Sequence, residues 1–317
     1  MLKQMYHAIY WMEERALPGR FLIFKGLKLF ANIAYPIVMK NRTQTGISEN
    51  SDIIVSLTSF PARINKVWIT IETLLNQTHK PQRIILWLAE EQFPDKDKVS
   101  EMFKGQCKRG LEICYCDDLR SHKKYYYTML NNPNSIVITA DDDMLYPEDF
   151  IEQLYNTHLK YPDCICCNWA HRIGLKTDSS FLKYSEWKHI TDEEIAPALL
   201  TMAVGCEGVL YPPHSLSKRL YNKEDILSLC LSADDIWLKM NSVVVGTKTV
   251  RANRRSISWF SVLSTQKIAL NTVNCGANKN DEVLVNMQSI FREELSLLYR
   301  IQEEQFKKAD MECRDNI

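Results

Sequence analysis

The fold class this sequence predicts is α/β, with a mostly parallel sheet and helices on both faces. Short β-rich runs alternate with stretches of helical spacing from residue 53 onward. Several of those runs are apolar throughout, as strands covered on both sides require. At 317 residues, 45% hydrophobic and 25% charged, the chain suits one such domain with appendages.

The first 40 residues are basic, aromatic and apolar. Phe21-Leu22-Ile23-Phe24 is followed by Leu27, Leu29, Phe30 and Ile33, with Lys25, Lys28 and Pro36 as interruptions. Two lysines within the run argue against a membrane span and for a basic amphipathic helix lying in the bilayer interface. A helix packed on the chain's own core fits the same residues equally well. Residues 41–52 are polar and read as a linker. Ile53–Leu57 then reads as a strand, and 64–77 as a helix with apolar residues at Ile64, Val67, Ile71, Leu74 and Leu75. Arg83–Leu88 and Leu111–Cys116 are strand-like, a helix lies near 121–131, and Ser135–Ala140 is an apolar strand. A helix from about Pro147 to Tyr161 leads to a strand at 163–168, and Asp281 to Lys308 is a long charged helical pattern. The expected division is a helical segment and linker at 1–50, a catalytic domain at 51–275 and a C-terminal helix at 276–317.

Charge and cysteines narrow the classes. The formal net charge is zero, which gives no reason to expect general attraction to nucleic acid. Residues 1–42, however, carry seven Lys and Arg against two Glu, a net +5 that the remainder balances. No clean apolar run with a small-residue cleavage site opens the sequence. Cys164, Cys166 and Cys167 sit in a strand-like run that suits burial better than bridging, and no pair of C-x2-C elements at finger spacing occurs. The ten cysteines therefore read as reduced, in a cytoplasmic protein, peripheral on the inner face of the membrane if the N-terminal helix binds there. A P-loop, a G-x-G-x-x-G turn, H-E-x-x-H and G-x-S-x-G are all missing.

In such sheets ligands bind beyond the carboxyl ends of the strands. The sharpest signal lies at one of those ends: Ser135-Ile-Val-Ile-Thr-Ala runs straight into Asp141-Asp142-Asp143 and then Pro147. Three adjacent carboxylates repel, and a hard divalent cation with open positions for phosphate oxygens would offset that repulsion. A single helix-capping Asp with two solvated neighbours is the plainer alternative. Polar groups also crowd Asp118-Leu-Arg120-Ser-His-Lys123-Lys124, where Asp118 suits a base or ribose and Lys124 a phosphate. Paired lysines on an exposed helix face explain the same residues.

The segments IIVSLTSFPARI, RIILWLAEEQFP, DLRSHKKYYYTM and VITADDDMLYP together resemble a bacterial GT-A fold glycosyltransferase of the family-2-like kind that builds surface polysaccharides. The resemblance spans roughly residues 52–240. It implies a Rossmann-like GT-A fold with helical N- and C-terminal appendages and a nucleotide-sugar donor. It also implies a glycan or lipid-linked acceptor and a divalent cation, Mn2+ or Mg2+. By the same resemblance Asp141-Asp142-Asp143 is the D-x-D motif, with Asp141 near the ribose and the metal, Asp143 on the metal and Asp142 between them at the donor. Thr58 and Arg63 would meet the nucleoside, and Glu207, between Gly205 and Gly208, would lie under the transferred sugar. The acidic pair before Ile236 would hold the base of an inverting reaction, Asp235 first and Asp234 second. Ser232-x-x-Asp235 also has the form of a capping box. The sequence departs from the pattern in having no histidine after His214. Asn271, Asn274, Asn280 and Asp281 are the possible substitutes on the metal, and His171 is a further candidate. Two other classes stay open: a sugar nucleotidyltransferase, although Thr58-Ser-Phe-Pro-Ala-Arg63 lacks the usual glycines, and a non-catalytic membrane-associated scaffold.

Overall fold

The computed structural model describes residues 1–39, 42–190, 196–252, 259–265 and 279–315. Ile53–Thr58 forms strand β1, and Arg83–Ala89, Leu111–Cys116 and Ile136–Thr139 form β2, β3 and β4. Alternate residues of β1 serve opposite faces. Ile53, Val55 and Leu57 enter one apolar cluster while Ile54 joins Ile85 and Trp87 on the other side. Both faces are covered, which is why the strand reads as a continuous apolar run.

The described residues form a seven-stranded sheet ordered β10-β5-β9-β4-β1-β2-β3, where β5 is Ile165–Cys167, β9 is Val209–Tyr211 and β10 is Thr249–Arg251. β1 pairs in parallel with β2 and β4, β2 with β3, and β5 with β10. β9 alone runs antiparallel, inserted between β4 and β5. A small second sheet joins Ala170–Arg172 (β6), Lys188–His189 (β7) and Thr201–Ala203 (β8). The fold is therefore α/β with a mixed, mostly parallel sheet and helices at both ends, as the sequence predicted. From β1 the chain builds outward to β2 and β3, then returns to place β4 on β1's other side. The loops after β1 and β4 thus diverge at a topological switch point, where the crevice of such sheets opens.

Helices α3 (Ile64–Leu74), α4 (Lys96–Met102), α5 (Lys104–Cys107), α6 (Lys123–Asn131), α7 (Phe150–Lys160) and α8 (Asp234–Val244) connect the strands. α6 is tied to the sheet through Thr128, whose hydroxyl meets Ser56 Oγ at 2.7 Å and accepts from Trp87 Nε1 at 2.7 Å.

The N-terminal segment is two helices, α1 (Leu2–Glu14) and α2 (Arg20–Met39), parted at Ala16 (φ 47°), Pro18 and Gly19 (φ 79°). Leu2, Tyr6, Ile9 and Met12 line one face of α1, and Ala31, Tyr35 and Met39 one face of α2. All seven join the cluster that β1 and β4 feed. Glu148 caps α1, accepting from the amides of Leu2 (3.1 Å) and Lys3 (2.5 Å) and from the Met1 amine (2.7 Å). Four buried apolar side chains, at roughly 1.5–3 kcal/mol each, hold α1 more firmly than that single cap. The linker is also engaged: Gly46 N donates to Arg109 O and Ser48 N to Pro81 O. At the other end, the charged pattern divides at buried Phe291 into α9 (Lys279–Ile290) and α10 (Arg292–Asp315). All eight cysteines among the described residues whose side chains are placed are free.

Candidate active site

The loop after β4 delivers its three aspartates to three different surroundings. Asp141 keeps its side chain 31% exposed and accepts from Lys124 Nζ at 2.8 Å. Its amide donates to Tyr146 Oη (2.8 Å), whose hydroxyl donates on to Cys206 O (3.2 Å), so the loop is stapled to the turn before β9. Asp142 points inward. Its carboxylate accepts from Ser59 Oγ at 2.6 Å and from Arg63 at 2.6 Å, and its carbonyl from Thr70 Oγ1 at 3.0 Å. Burial pushes this carboxyl up, but a group accepting from both Ser59 and a guanidinium has the geometry of an ionised carboxylate. Asp143 lies 3.2 Å from the other arm of Arg63, and its carbonyl accepts from Val262 N at 2.7 Å.

Two of the expected donor residues are engaged with each other within the protein. Arg63, expected at the nucleoside, is 6% exposed and neutralises Asp142 and Asp143. Asp142, expected at the donor, is 5% exposed and occupied by Ser59 and Arg63. Three adjacent carboxylates are tolerable partly because Arg63, the N-cap residue of α3, supplies a cation to two of them.

The centre of the site is Lys124, in the first turn of α6. It is buried between Asp141 (2.8 Å) and Asp234 (2.9 Å). Burial alone would lower the Lys124 pKa, but the carboxylates of Asp141, Asp234 and Asp235 raise it well above the ordinary lysine value. The exposed-face explanation of Lys124 is thereby set aside. Asp234 and Asp235 open α8, whose N-cap residue is Ala233, one position after the Ser232 of the capping-box pattern. A π-helical turn at Ile226–Cys230 leads into this start, and Cys230 O meets His122 Nε2 at 2.9 Å. His122 also meets Tyr125 Oη at 2.7 Å and is fully buried, which lowers its pKa and keeps the ring neutral.

The two neighbouring carboxyls differ sharply. Burial favours protonation of Asp234, but the Lys124 charge beside it outweighs burial and its pKa is lowered. Asp235 is only partly exposed, and burial together with the Asp234 charge raises it to about 7. Asp235 Oδ2 accepts from Gly205 N at 3.1 Å. A Cβ on Gly205 would sit 3.0 Å from both Asp235 Oδ1 and Lys124 Nζ, so the absence of a side chain lets these groups close on the loop.

The other expected residues, where described, are each engaged within the protein. Glu207 is 1% exposed, accepts from Trp259 N at 2.8 Å and offers its carbonyl to Asn168 Nδ2 at 3.0 Å, so it buttresses the loop from inside. Thr58 Oγ1 donates to Trp87 O at 2.8 Å, at the carboxyl end of β1. Asp118, after β3, is held by Lys123, Gln92 Nε2 (2.7 Å) and the Arg120 amide (2.8 Å). His171 packs on His189 in the small sheet, and Asp281 accepts from Tyr184 N at 2.7 Å. Asn280 is buried at the start of α9, and Asn271 and Asn274 lie outside the described residues. His122 and the closeness of Gly205 to Asp235 were not legible, since their only signal is a contact 30 or more residues away.

The resemblance implies a divalent cation at Asp141 and Asp143. Among the described residues no three His, Cys, Asp or Glu side chains are grouped as a ready metal cage. The donor set nonetheless fits a hard cation of the kind held by one or two carboxylates and completed by substrate phosphates and water. Among the described residues, Asp141, Asp142, Asp143, Asp234 and Asp235 face the cations Arg63, Lys124 and, beside Asp143, Lys28, so carboxylates are in excess.

No family model matches the chain, and no curated protein matches it. Among solved structures it is similar to 4-diphosphocytidyl-2C-methyl-D-erythritol synthase, with a TM-score of 0.41 and 8% identity over 74% of this chain and 99% of that one. It is also similar to a mannosyltransferase from Pyrobaculum calidifontis in complex with GDP-Man and Mn2+. There the TM-score is 0.31 and the identity 10%, over 53% of this chain and 47% of that one. The chain spans about half the length of that mannosyltransferase. These are likenesses of fold at low identity, and they leave the chemistry to the chain's own residues.

Proposed function

We propose that this chain is a metal-assisted glycosyltransferase that moves a sugar from a nucleotide-sugar donor to a hydroxyl acceptor in glycan synthesis, with inversion. The observation that carries the reading is Asp235. Its pKa of about 7 lies where a general base works near neutral pH, and it sits partly exposed beside Lys124 and Gly205 at the strand ends. The acceptor oxygen attacks the anomeric carbon, its proton passes to Asp235, and the sugar–phosphate bond breaks with its electron pair leaving on the nucleoside diphosphate. Asp234 stays ionised against Lys124 and raises the proton affinity of its neighbour. Lys124 also holds Asp141 in place. Asp141 and Asp143 are the residues that would hold a divalent cation, which when bound stabilises charge on the departing diphosphate.

Thr58, Asp118 and Arg120 border the same strand ends and suit the nucleoside side of the crevice. The loop after β1 carries no glycine and turns its Arg63 inward, which is poorly suited to the triphosphate grip of a nucleotidyltransferase. The test is a panel of nucleotide sugars with Mn2+ or Mg2+, reading nucleoside diphosphate release with and without candidate glycan and lipid-linked acceptors. Pyrophosphate release from free NTP and sugar phosphate would establish the nucleotidyltransferase instead. No turnover in either assay, with no nucleotide bound, would leave the scaffold.

A further inference from the structure

We propose that α2 is an in-plane membrane anchor that seats this protein on an anionic bilayer surface. Helix α2 is 20 residues long with a mean hydropathy of 1.5 over its most apolar window, of which only 11% is buried. Leu22, Leu29, Phe30, Ile33 and Ile37 are 53–74% exposed and fall at spacings that put them on one side of the helix. An apolar strip of this extent is unusual on a soluble surface, and water does not favour it.

Two observations select the occupant. Cations accompany the apolar surface: Lys25 is exposed within the strip, Arg20 at its start stacks over the ring of exposed Phe21 at 4.8 Å, and at the end of α1 Arg15 stacks over the ring of exposed Trp11 at 4.5 Å. Residues 1–42 as a whole carry a net +5. Aromatic rings paired with guanidinium groups at an apolar edge suit the headgroup layer, and the positive excess suits anionic lipid.

The other side of α2 decides between lying in the surface and crossing it. Ala31, Tyr35 and Met39 are buried against the domain, and Phe24 packs on Phe260 with ring centroids 5.2 Å apart. Lys28, which the sequence suggested as a break in the apolar run, turns inward and donates to Ser261 Oγ at 2.6 Å. Asn32 donates to Ser261 O at 3.2 Å and accepts from Leu263 N at 2.8 Å, and Leu263 extends the exposed apolar edge. At 20 residues the helix is about 30 Å long, enough to cross a bilayer. Crossing would strip away these contacts and place Lys28 and Asn32 in hydrocarbon; lying flat keeps every one of them. Segment 259–265 also bridges Met144 through Ser261 and donates from Val262 N to Asp143 O, so the anchor and the acidic loop share one support.

The experiment is vesicle flotation of the full chain with phosphatidylcholine alone and with a phosphatidylcholine–phosphatidylglycerol mixture, over a salt series. The native chain is expected on the anionic vesicles, with retention falling as salt rises. A Leu22→Glu, Ile33→Glu double variant alters exposed positions, so its thermal melt should match the native chain while vesicle partitioning drops at least about 10-fold. Shallow brominated lipid should quench a fluorescence component that disappears in Trp11→Phe. Failure of the native chain to float would overturn the proposal. So would a stable dimer abolished by the same double variant without any vesicle binding, which would make a second copy the occupant. Carbonate-resistant retention with deep-lipid quenching would replace the in-plane anchor by a span.

Discussion

Asp234 and Asp235 are neighbours in sequence, yet their carboxyls move in opposite directions: Lys124 at 2.9 Å outweighs burial at Asp234, whereas burial and the Asp234 charge together raise Asp235. The acidic pair itself was legible in the sequence. Its asymmetry was not, since it arises from burial of both carboxyls and from Lys124, more than a hundred residues earlier, which pairs with Asp234. Arg63 and Asp142 show the reverse case: their motif position suggested ligand contact, and burial turned them toward each other. Asp235→Asn separates base from support. As the base, its loss should lower kcat about 10²–10⁴-fold while leaving donor affinity nearly unchanged. The native kcat/KM should rise with pH to a plateau through an apparent pKa near 7. Stability should move the other way. Between about pH 4 and pH 7 the unfolded chain releases this proton while the native state keeps it, so native stability declines as pH rises through that window. Asp235→Asn should therefore melt higher than the native protein above neutrality and show no such advantage in acid. Near-normal turnover in the variant would end the base assignment and, if Asp234→Asn alone were inactive, move the role one residue back.

Elements were read more securely than their ends. The four parallel strands β1 to β4 and the helices between them follow from apolar runs and helical spacing, because both are local consequences of burial. Ends depend on tertiary partners. The helix expected at Pro147 begins at Phe150, and the helix expected to be capped by Ser232 begins at Asp234 after a π-helical turn. The single helix expected over the N-terminal 40 residues is two, since Ala16 and Gly19 take positive φ around Pro18. The glycine pair at 205 and 208 was noticed as one feature but serves two purposes. Gly205 makes room for Lys124 and Asp235, whereas Gly208 has φ +83° and a Cβ there would lie 2.4 Å from the Phe150 ring. Gly208→Ala combines an unfavourable backbone with overpacking at the start of β9, and should destabilise the fold by about 2–5 kcal/mol. Gly205→Ala meets only flexible side-chain ends and should leave the denaturation midpoint closer to native while depressing turnover. Denaturant unfolding of the two variants side by side decides the matter; equal midpoints would show that the two glycines do the same job.

Across the whole molecule, the sheet order explains why the chemistry gathers where it does. Strands β1 and β4 diverge at the switch point, so their loops bring Ser59, Arg63 and the three aspartates together, and β9, running antiparallel, returns Gly205 to the same edge. Among the described residues the carboxylates at that edge outnumber the cations Arg63, Lys124 and Lys28, and a nucleoside diphosphate adds more negative charge, which a bound cation would offset. Nucleoside diphosphate binding should accordingly depend on Mn2+ or Mg2+. Calorimetry in the presence of the metal and in EDTA should differ in affinity by at least about 10-fold, the factor that corresponds to 1.4 kcal/mol of lost attraction. Asp141→Asn is the more telling variant, because Asp141 is the partly exposed member and Lys124 retains Asp234 as a partner when its charge is removed. It should weaken metal-dependent nucleotide binding with little change in the melt. Asp143→Asn relieves one partner of buried Arg63 and should do so with a measurable change in stability as well. If the nucleotide bound equally well in EDTA, Lys124 would be the cation the diphosphate meets. In that case Lys124→Met rather than Asp141→Asn would abolish binding, and the aspartates would be left as the lysine's supports.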